Sequence, residues 1–160
     1  MRWLVVLSAA RGLPGGFNLG DEAIIREIYS SAGSVFEWGL GDSTHIAAEV
    51  GVKRYKGVDS SATWVDNVRE KAPAHFELVH VNIGRLGAWG HPESKNATPS
   101  FAAYTMGPLT GELPFDVYLV DGRFRVAATA AAFLHASAGG KRCLGPARLF
   151  MLVPIRLFWA

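Results

Sequence analysis

Cysteine is almost absent. Cys143 stands alone, so no internal disulfide can form, and one thiol cannot by itself build a zinc site. No apolar run approaches the roughly 18 residues that a membrane-spanning helix requires, so no membrane span is expected. Charge is also scarce. Acidic and basic residues together make up 19% of the chain, too little for a typical disordered segment. The net charge of +2 lacks the strong basic excess of a general polyanion binder, so no nucleic-acid partner is expected. Apolar residues, by contrast, form 49% of 160 residues, enough for one domain with a real core.

The two ends differ from the middle. Met1-Arg2-Trp3-Leu4-Val5-Val6-Leu7-Ser8-Ala9-Ala10 has the order of a compressed signal peptide, a basic residue followed by a short apolar stretch and small residues. The plainer reading is a short strand or a flexible lead-in over residues 1–19, and the single cysteine gives no support for an oxidising compartment. A cytoplasmic location is the expectation. Residues 141–160 hold Lys141, Arg142, Arg148 and Arg156 and no acid, so against the total of +2 the rest of the chain carries −2. This basic, apolar tail includes a strand candidate, Leu149 to Val153, closed by Pro154.

Between the ends, helical and extended patterns alternate. Ala23, Ile24, Ile28 and Tyr29 recur at helical spacing and predict a helix over Asp21 to Ser31, capped by Asn18 or Asp21. Ser34 to Trp38 predicts a strand, His45 to Val50 a short helix, and Tyr55 to Asp59 a second strand. Ser60 or Ser61 caps a helix running to about Glu70, on which Trp64 and Val68 share a face. Phe76 to Val81 predicts a third strand. Residues 84–114 are rich in glycine and proline, which marks a functional loop, with Phe101 to Met106 as a helix inside it. Phe115 to Asp121 is the clearest strand, and Phe124 to Ser137 an alanine-rich helix. This order predicts an α/β domain over residues 20–160, with a mostly parallel sheet and helices on both faces. Ligands in such sheets bind beyond the carboxyl ends of the strands, where the strand order reverses.

Acids stand at or near three of those carboxyl ends: Glu37, Asp59 and Asp121. Gly39-Leu40-Gly41 follows the first, and a glycine turn lets the backbone approach a ligand closely. Asp59 lies twenty residues after Gly39, the reach at which an acid on the second strand meets ribose hydroxyls. A dinucleotide fingerprint would need glycine where Thr44 stands. Asp42 also puts negative charge where a pyrophosphate would sit. Both features, with Glu37, count against a nicotinamide-dependent oxidoreductase. They suit a nucleoside ligand that carries positive charge and no phosphate.

Glu37-Trp38-Gly39-Leu40-Gly41-Asp42-Ser43-Thr44 resembles motif I of class I S-adenosylmethionine-dependent methyltransferases, with Ser43 in place of the usual third glycine. Gly57-Val58-Asp59 resembles the acidic motif that follows it, and Phe115 to Asp121 the fourth-strand motif. Together with Trp64, Ala88-Trp89-Gly90 and Val120-Asp121-Gly122-Arg123-Phe124-Arg125, they resemble a poorly characterised methyltransferase-like group over roughly residues 20–140. The resemblance implies a Rossmann-like, doubly wound domain whose final strands are missing from this chain. It implies S-adenosylmethionine as cofactor and a small-molecule or unknown methyl acceptor. Glu37, Gly39 and Gly41 would shape the pocket for the methionine part, Asp59 would hold the ribose, and Asn82 would approach the adenine. Asp121 and His91 are the candidates for a general base, and Trp89 and His91 for substrate contact. Trp38 and Trp64 read as core, and His45, His75, His80 and His135 as ordinary residues. No metal is expected, because no Asp-Asn pair follows the fifth strand. The competing reading is a catalytically inactive methyltransferase-like module that binds a nucleoside or a partner, with a dimer formed through an exposed sheet edge.

Overall fold

A computed structural model describes residues 19–87, 92–93, 98–138 and 148–151. The signal-like start, Trp89, His91, Cys143 and the tail beyond Met151 lie outside the described residues. Helix α1 spans Leu19–Ser30, strand β1 Ser34–Trp38, α2 Asp42–Glu49, β2 Arg54–Asp59, α3 Ala62–Arg69 and β3 Glu77–His80. Helix α4, Thr98–Thr105, leads into a short 3-10 turn at Gly107–Leu109, and then come β4 Val117–Val120, α5 Arg125–Ala138 and β5 Arg148–Met151. The strands form one five-stranded sheet in the order β3-β2-β1-β4-β5, and every pairing is parallel.

Alternation along the strands sorts the core into two layers. Val35, Tyr55, Leu78, Val117 and Leu119 face Ile25, Ile28 and Tyr29 of α1, Ile46 and Ala47 of α2, and Val65 and Val68 of α3. Phe36, Trp38, Val58, Tyr118 and Val120 face Tyr104 of α4, Leu109, and Ala128, Ala131 and Ala132 of α5. Helices therefore cover both faces, as the alternating pattern predicts. Small alanines on α5 let that helix lie close to the aromatic side of the sheet.

Three local departures from the sequence reading have clear causes. Helix α1 starts at Leu19, so Asp21 lies inside its first turn rather than capping it. Helix α2 starts at Asp42, because the Gly41 N–H donates to Thr44 Oγ1 (3.1 Å) while the Thr44 N–H donates back to the Gly41 carbonyl (3.0 Å). Gly41 thus takes the cap position, and Asp42 to Thr44 wind into the helix. Strand β4 is shorter than Phe115 to Asp121, since the Phe115 N–H donates to the Tyr118 hydroxyl instead of a neighbouring strand (3.0 Å).

The glycine- and proline-rich stretch is pinned at its end. Arg54 of β2 donates to the Leu113 carbonyl (2.7 Å), the Pro114 carbonyl (3.2 Å) and Glu112 (2.8 Å), with its guanidinium carbon 3.8 Å from the centre of the Phe115 ring. Lys56 pairs with the same Glu112 (2.8 Å), whose carboxyl is held below its ordinary range, first by Lys56. The Tyr118 hydroxyl lies 2.7 Å from His135 Nδ1, and His135 Nε2 lies 3.1 Å from the Glu112 carbonyl. Since a carbonyl only accepts, Nε2 carries the proton there and Tyr118 donates to Nδ1.

The order reverses between β1 and β4, and two glycines meet at that point. Gly39 follows β1 at φ +91°, and a Cβ on it would fall 2.6 Å from the Gly122 nitrogen. A Cβ on Gly122 would fall 2.8 Å from the Gly39 nitrogen and 2.9 Å from the Trp38 carbonyl carbon. These neighbours are backbone and cannot swing aside. Gly122→Ala is therefore expected to lose about 2 kcal/mol or more in denaturant unfolding. Gly107→Ala, where a Cβ meets nothing within 4 Å, should change stability by less than about 0.5 kcal/mol.

Candidate functional site

The carboxyl ends of β1, β2 and β4 bring together most of the residues singled out in the sequence. The bend Gly39-Leu40-Gly41 leaves β1, Asp59 ends β2 and Asp121 follows β4. Parallel pairing sets Trp38 opposite both Val58 and Val120, so these ends are level. The Gly39 N–H bonds the Val58 carbonyl (2.8 Å) and the Asp121 N–H the Trp38 carbonyl (2.8 Å), which continues the ladder into the loops.

Glu37 lies one residue below the rim, fully buried on the α1–α3 side. Its carboxylate accepts hydrogen bonds from the Ser43 and Tyr55 hydroxyls and from Thr44 Oγ1 (3.1 Å). The two hydroxyls that break the glycine patterns thus have a structural purpose. Ser43 and Thr44 dock the start of α2 onto a buried carboxylate, and Tyr55 ties that carboxylate to β2. Glu37 shapes the bend from behind. Burial pushes its carboxyl up to about 7, the three hydroxyl donors pull it down, and the Asp121 charge adds to the rise. Tyr29 of α1 is also buried here, and its hydroxyl has no partner among the described residues.

Asp59 faces the bend directly. Its Oδ2 accepts the Leu40 N–H (3.2 Å) and its Oδ1 the Ser61 N–H (2.9 Å). A carboxylate has about four lone-pair sites, so each oxygen keeps acceptor capacity for a ligand hydroxyl. A Cβ on Gly41 would have a single neighbour, Trp64 at 4.0 Å, so the bend is open on that side. Asp42 is exposed in the first turn of α2, where it opposes an incoming phosphate.

Asp121 is half-buried, and burial raises its carboxyl to about 6 against the opposing pull of Arg125 and Arg123. Arg125 pairs with it at 3.3 Å. Phe124, between the two members of this pair in the chain, packs against Phe101 of α4 with ring centroids 4.2 Å apart, and it holds a left-handed backbone, φ +52°, that is rare for a non-glycine residue. Asn82 follows β3, which lies on the far side of β2 from the strand that carries the bend. Its side chain is exposed and its oxygen accepts the Gly84 N–H (2.8 Å), a local turn contact. His91 lies outside the described residues.

The two tryptophans part company. Trp38 is core, with its indole N–H on the Tyr104 carbonyl (3.3 Å). Trp64 is not. It is 46% exposed, and its indole N–H donates to the Leu40 carbonyl (2.6 Å). The four-residue spacing to Val68 suggested a shared buried face, but the buried stripe of α3 is Val65 and Val68. That three-residue pair was the signal that leaves Trp64 off the stripe. Tyr55 and Tyr104 do not stand out in the sequence either, because a tyrosine inside a strand or helix carries no local mark of the loop it supports. Among the described residues no group of three or more His, Cys, Asp or Glu side chains could hold a metal ion.

Stability should carry the signature of Glu37. The folded protein keeps a proton that the unfolded chain releases near 4.5, so the associated stability is full below pH 4.5 and is lost as pH rises through about 7. Asp121 acts in the same direction between 3.8 and about 6. Denaturant melts should show a further loss between pH 6 and 8 that Glu37→Gln abolishes, with on the order of 3 kcal/mol at stake over the whole window. Parallel pH curves for the two proteins would refute this.

Comparison with known proteins points to the same architecture. No protein-family model matches the chain, and no curated protein matches it in sequence. Among solved structures it is similar to a methyltransferase-like protein from Silicibacter pomeroyi DSS-3, at 32% sequence identity and a TM-score of 0.66. The alignment covers 72% of this chain and 64% of that one, so the chain spans less than two thirds of its neighbour's length. The fold is methyltransferase-like.

Proposed function

We propose that the protein binds S-adenosylmethionine across the carboxyl ends of β1 and β2 and transfers its methyl group to an acceptor. The observation that carries this reading is the hydrogen bond from the Leu40 N–H to Asp59. It sets a carboxylate with spare acceptor capacity beside an open glycine bend at the point where the sheet order reverses. The likeness to a methyltransferase-like protein adds support. The residues present fit such a cofactor: a carboxylate for ribose hydroxyls, a bend with free space at Gly41, and the Asp42 charge in place of a phosphate seat.

When bound, the cofactor supplies the electrophilic methyl group, and the protein's part is alignment. Asp59 accepts from the ribose hydroxyls. Glu37, through Ser43, Thr44 and Tyr55, keeps the bend in shape for the methionine part. Asn82, with its oxygen engaged by Gly84, offers the adenine less than its place after β3 suggests. Asp121, raised by burial, would receive a proton from the acceptor. His91 is proposed beside it from its sequence position alone.

The Asn82 oxygen, already accepting from the Gly84 N–H, favours a second reading, a module that binds the nucleoside without turnover. Methyl transfer to any acceptor in a broad panel separates the two. For either reading, millimolar S-adenosylmethionine or S-adenosylhomocysteine should raise the melting temperature, since ligand at about a hundred times its Kd adds about 2.7 kcal/mol. Asp59→Asn should weaken binding at least tenfold. It is a better probe than Asp59→Ala, which would also strip two backbone amides of their acceptor. No heat of binding and no thermal shift for the unaltered protein, or a response to a nicotinamide cofactor alone, would overturn the proposal.

A further inference from the structure

Four hydrogen bonds close a ring at the rim of the sheet. The Leu40 N–H donates to Asp59 Oδ2 (3.2 Å), the Ser61 N–H to Asp59 Oδ1 (2.9 Å), the Trp64 N–H to Ser61 Oγ (3.3 Å), and the Trp64 indole N–H to the Leu40 carbonyl (2.6 Å). Each member holds the next, and the ring joins the glycine bend, the end of β2 and the first turn of α3. We propose that Trp64 is a positioning residue of the nucleoside site, which sets the direction in which Asp59 presents its remaining lone pairs to ribose hydroxyls. This rests on the reading of Asp59 as the ribose acceptor.

Burial does not explain Trp64. Nearly half of its surface faces solvent, while Val65 and Val68 carry the packing of α3. Its contacts go instead to the bend. The indole N–H ends on the carbonyl of Leu40, whose own N–H ends on Asp59, and the ring edge stands 4.0 Å from where a Gly41 side chain would begin. Leu40 is held on its third side as well, since its side chain packs directly over the bare Cα of Gly57. A residue held at its N–H, its carbonyl and its side chain has one orientation. The Asp59 oxygen that accepts from it then has one orientation too. Ser61 does the same for the other oxygen, so neither carboxylate oxygen rotates freely when a ligand arrives.

Trp64→Phe keeps an aromatic ring and removes the one N–H that closes the circuit. The probes are S-adenosylhomocysteine and its 2′,3′-dideoxy analogue, which lacks the hydroxyls Asp59 would receive. Calorimetric titration should show Trp64→Phe binding the first about fivefold more weakly than the unaltered protein, the worth of one hydrogen bond. The second should weaken by less than twofold, with a melting temperature within a few degrees of the parent. Ser61→Ala cuts the ring on its other side and should erode the same discrimination, which keeps the test open if Trp64→Phe fails to fold. Equal weakening for both ligands, or none, would overturn the role of Trp64 while leaving the cofactor reading intact. An unaltered protein that binds the two ligands equally would remove the ribose role of Asp59 and the inference together.

Discussion

The contact between Gly39 and Gly122 is the constraint on which the rest of the rim depends. Where β1 and β4 end side by side, the chain turns away in two directions, and the two loops pass backbone against backbone. A side chain at either glycine would drive the strands' carboxyl ends apart. The Gly39–Val58 and Trp38–Asp121 bonds, which keep the ends of β1, β2 and β4 level, would stretch with them. The spacing between Asp59, the bend and Asp121 follows from that level rim.

Behind the rim, the structure uses polar side chains where a smaller residue would suffice for the turn alone. Ser43 and Thr44 depart from a glycine-rich pattern, and both hydroxyls go to the buried Glu37. This exchanges backbone freedom for a fixed hydrogen-bonded anchor, at the cost of burying a carboxyl whose charge is disfavoured there. In front of the rim, Asp59, Leu40, Ser61 and Trp64 bond to one another. The bend is thus held from both sides, by a buried carboxylate behind and a half-exposed indole in front. Preorganisation of this kind lowers the ordering cost of binding any flexible ligand that enters there.

The corner around Asp121 is built differently. Asp121, Arg125, Phe101 and Phe124 combine a carboxyl raised by burial, a paired cation, two close rings and a strained backbone at Phe124. Such strain survives only where its surroundings hold it, and here the Phe101 and Tyr104 rings of α4 pack against the strained residue. The tethers of Arg54, Lys56 and His135 to residues 112–114 fix the chain between α4 and β4, and so fix this corner.

The order of elements was legible because helical and extended periodicities are local. The pattern of Ser34 to Trp38 carries the bounds of β1, and position along the chain alone puts Asp59 and Asp121 at or next to strand ends. The nearness of Asp59 to the bend was an inference from spacing that parallel pairing of β1 and β2 realises. What only the tertiary structure decided were contacts between residues far apart in the chain. Nothing local tells that Tyr55 joins Ser43 and Thr44 on Glu37, or that Trp64 faces the bend while Trp38 is core. Periodicity reports which side of an element is apolar. It carries no information on which partner a polar atom will meet, because that partner is brought in by the sheet and not by the chain.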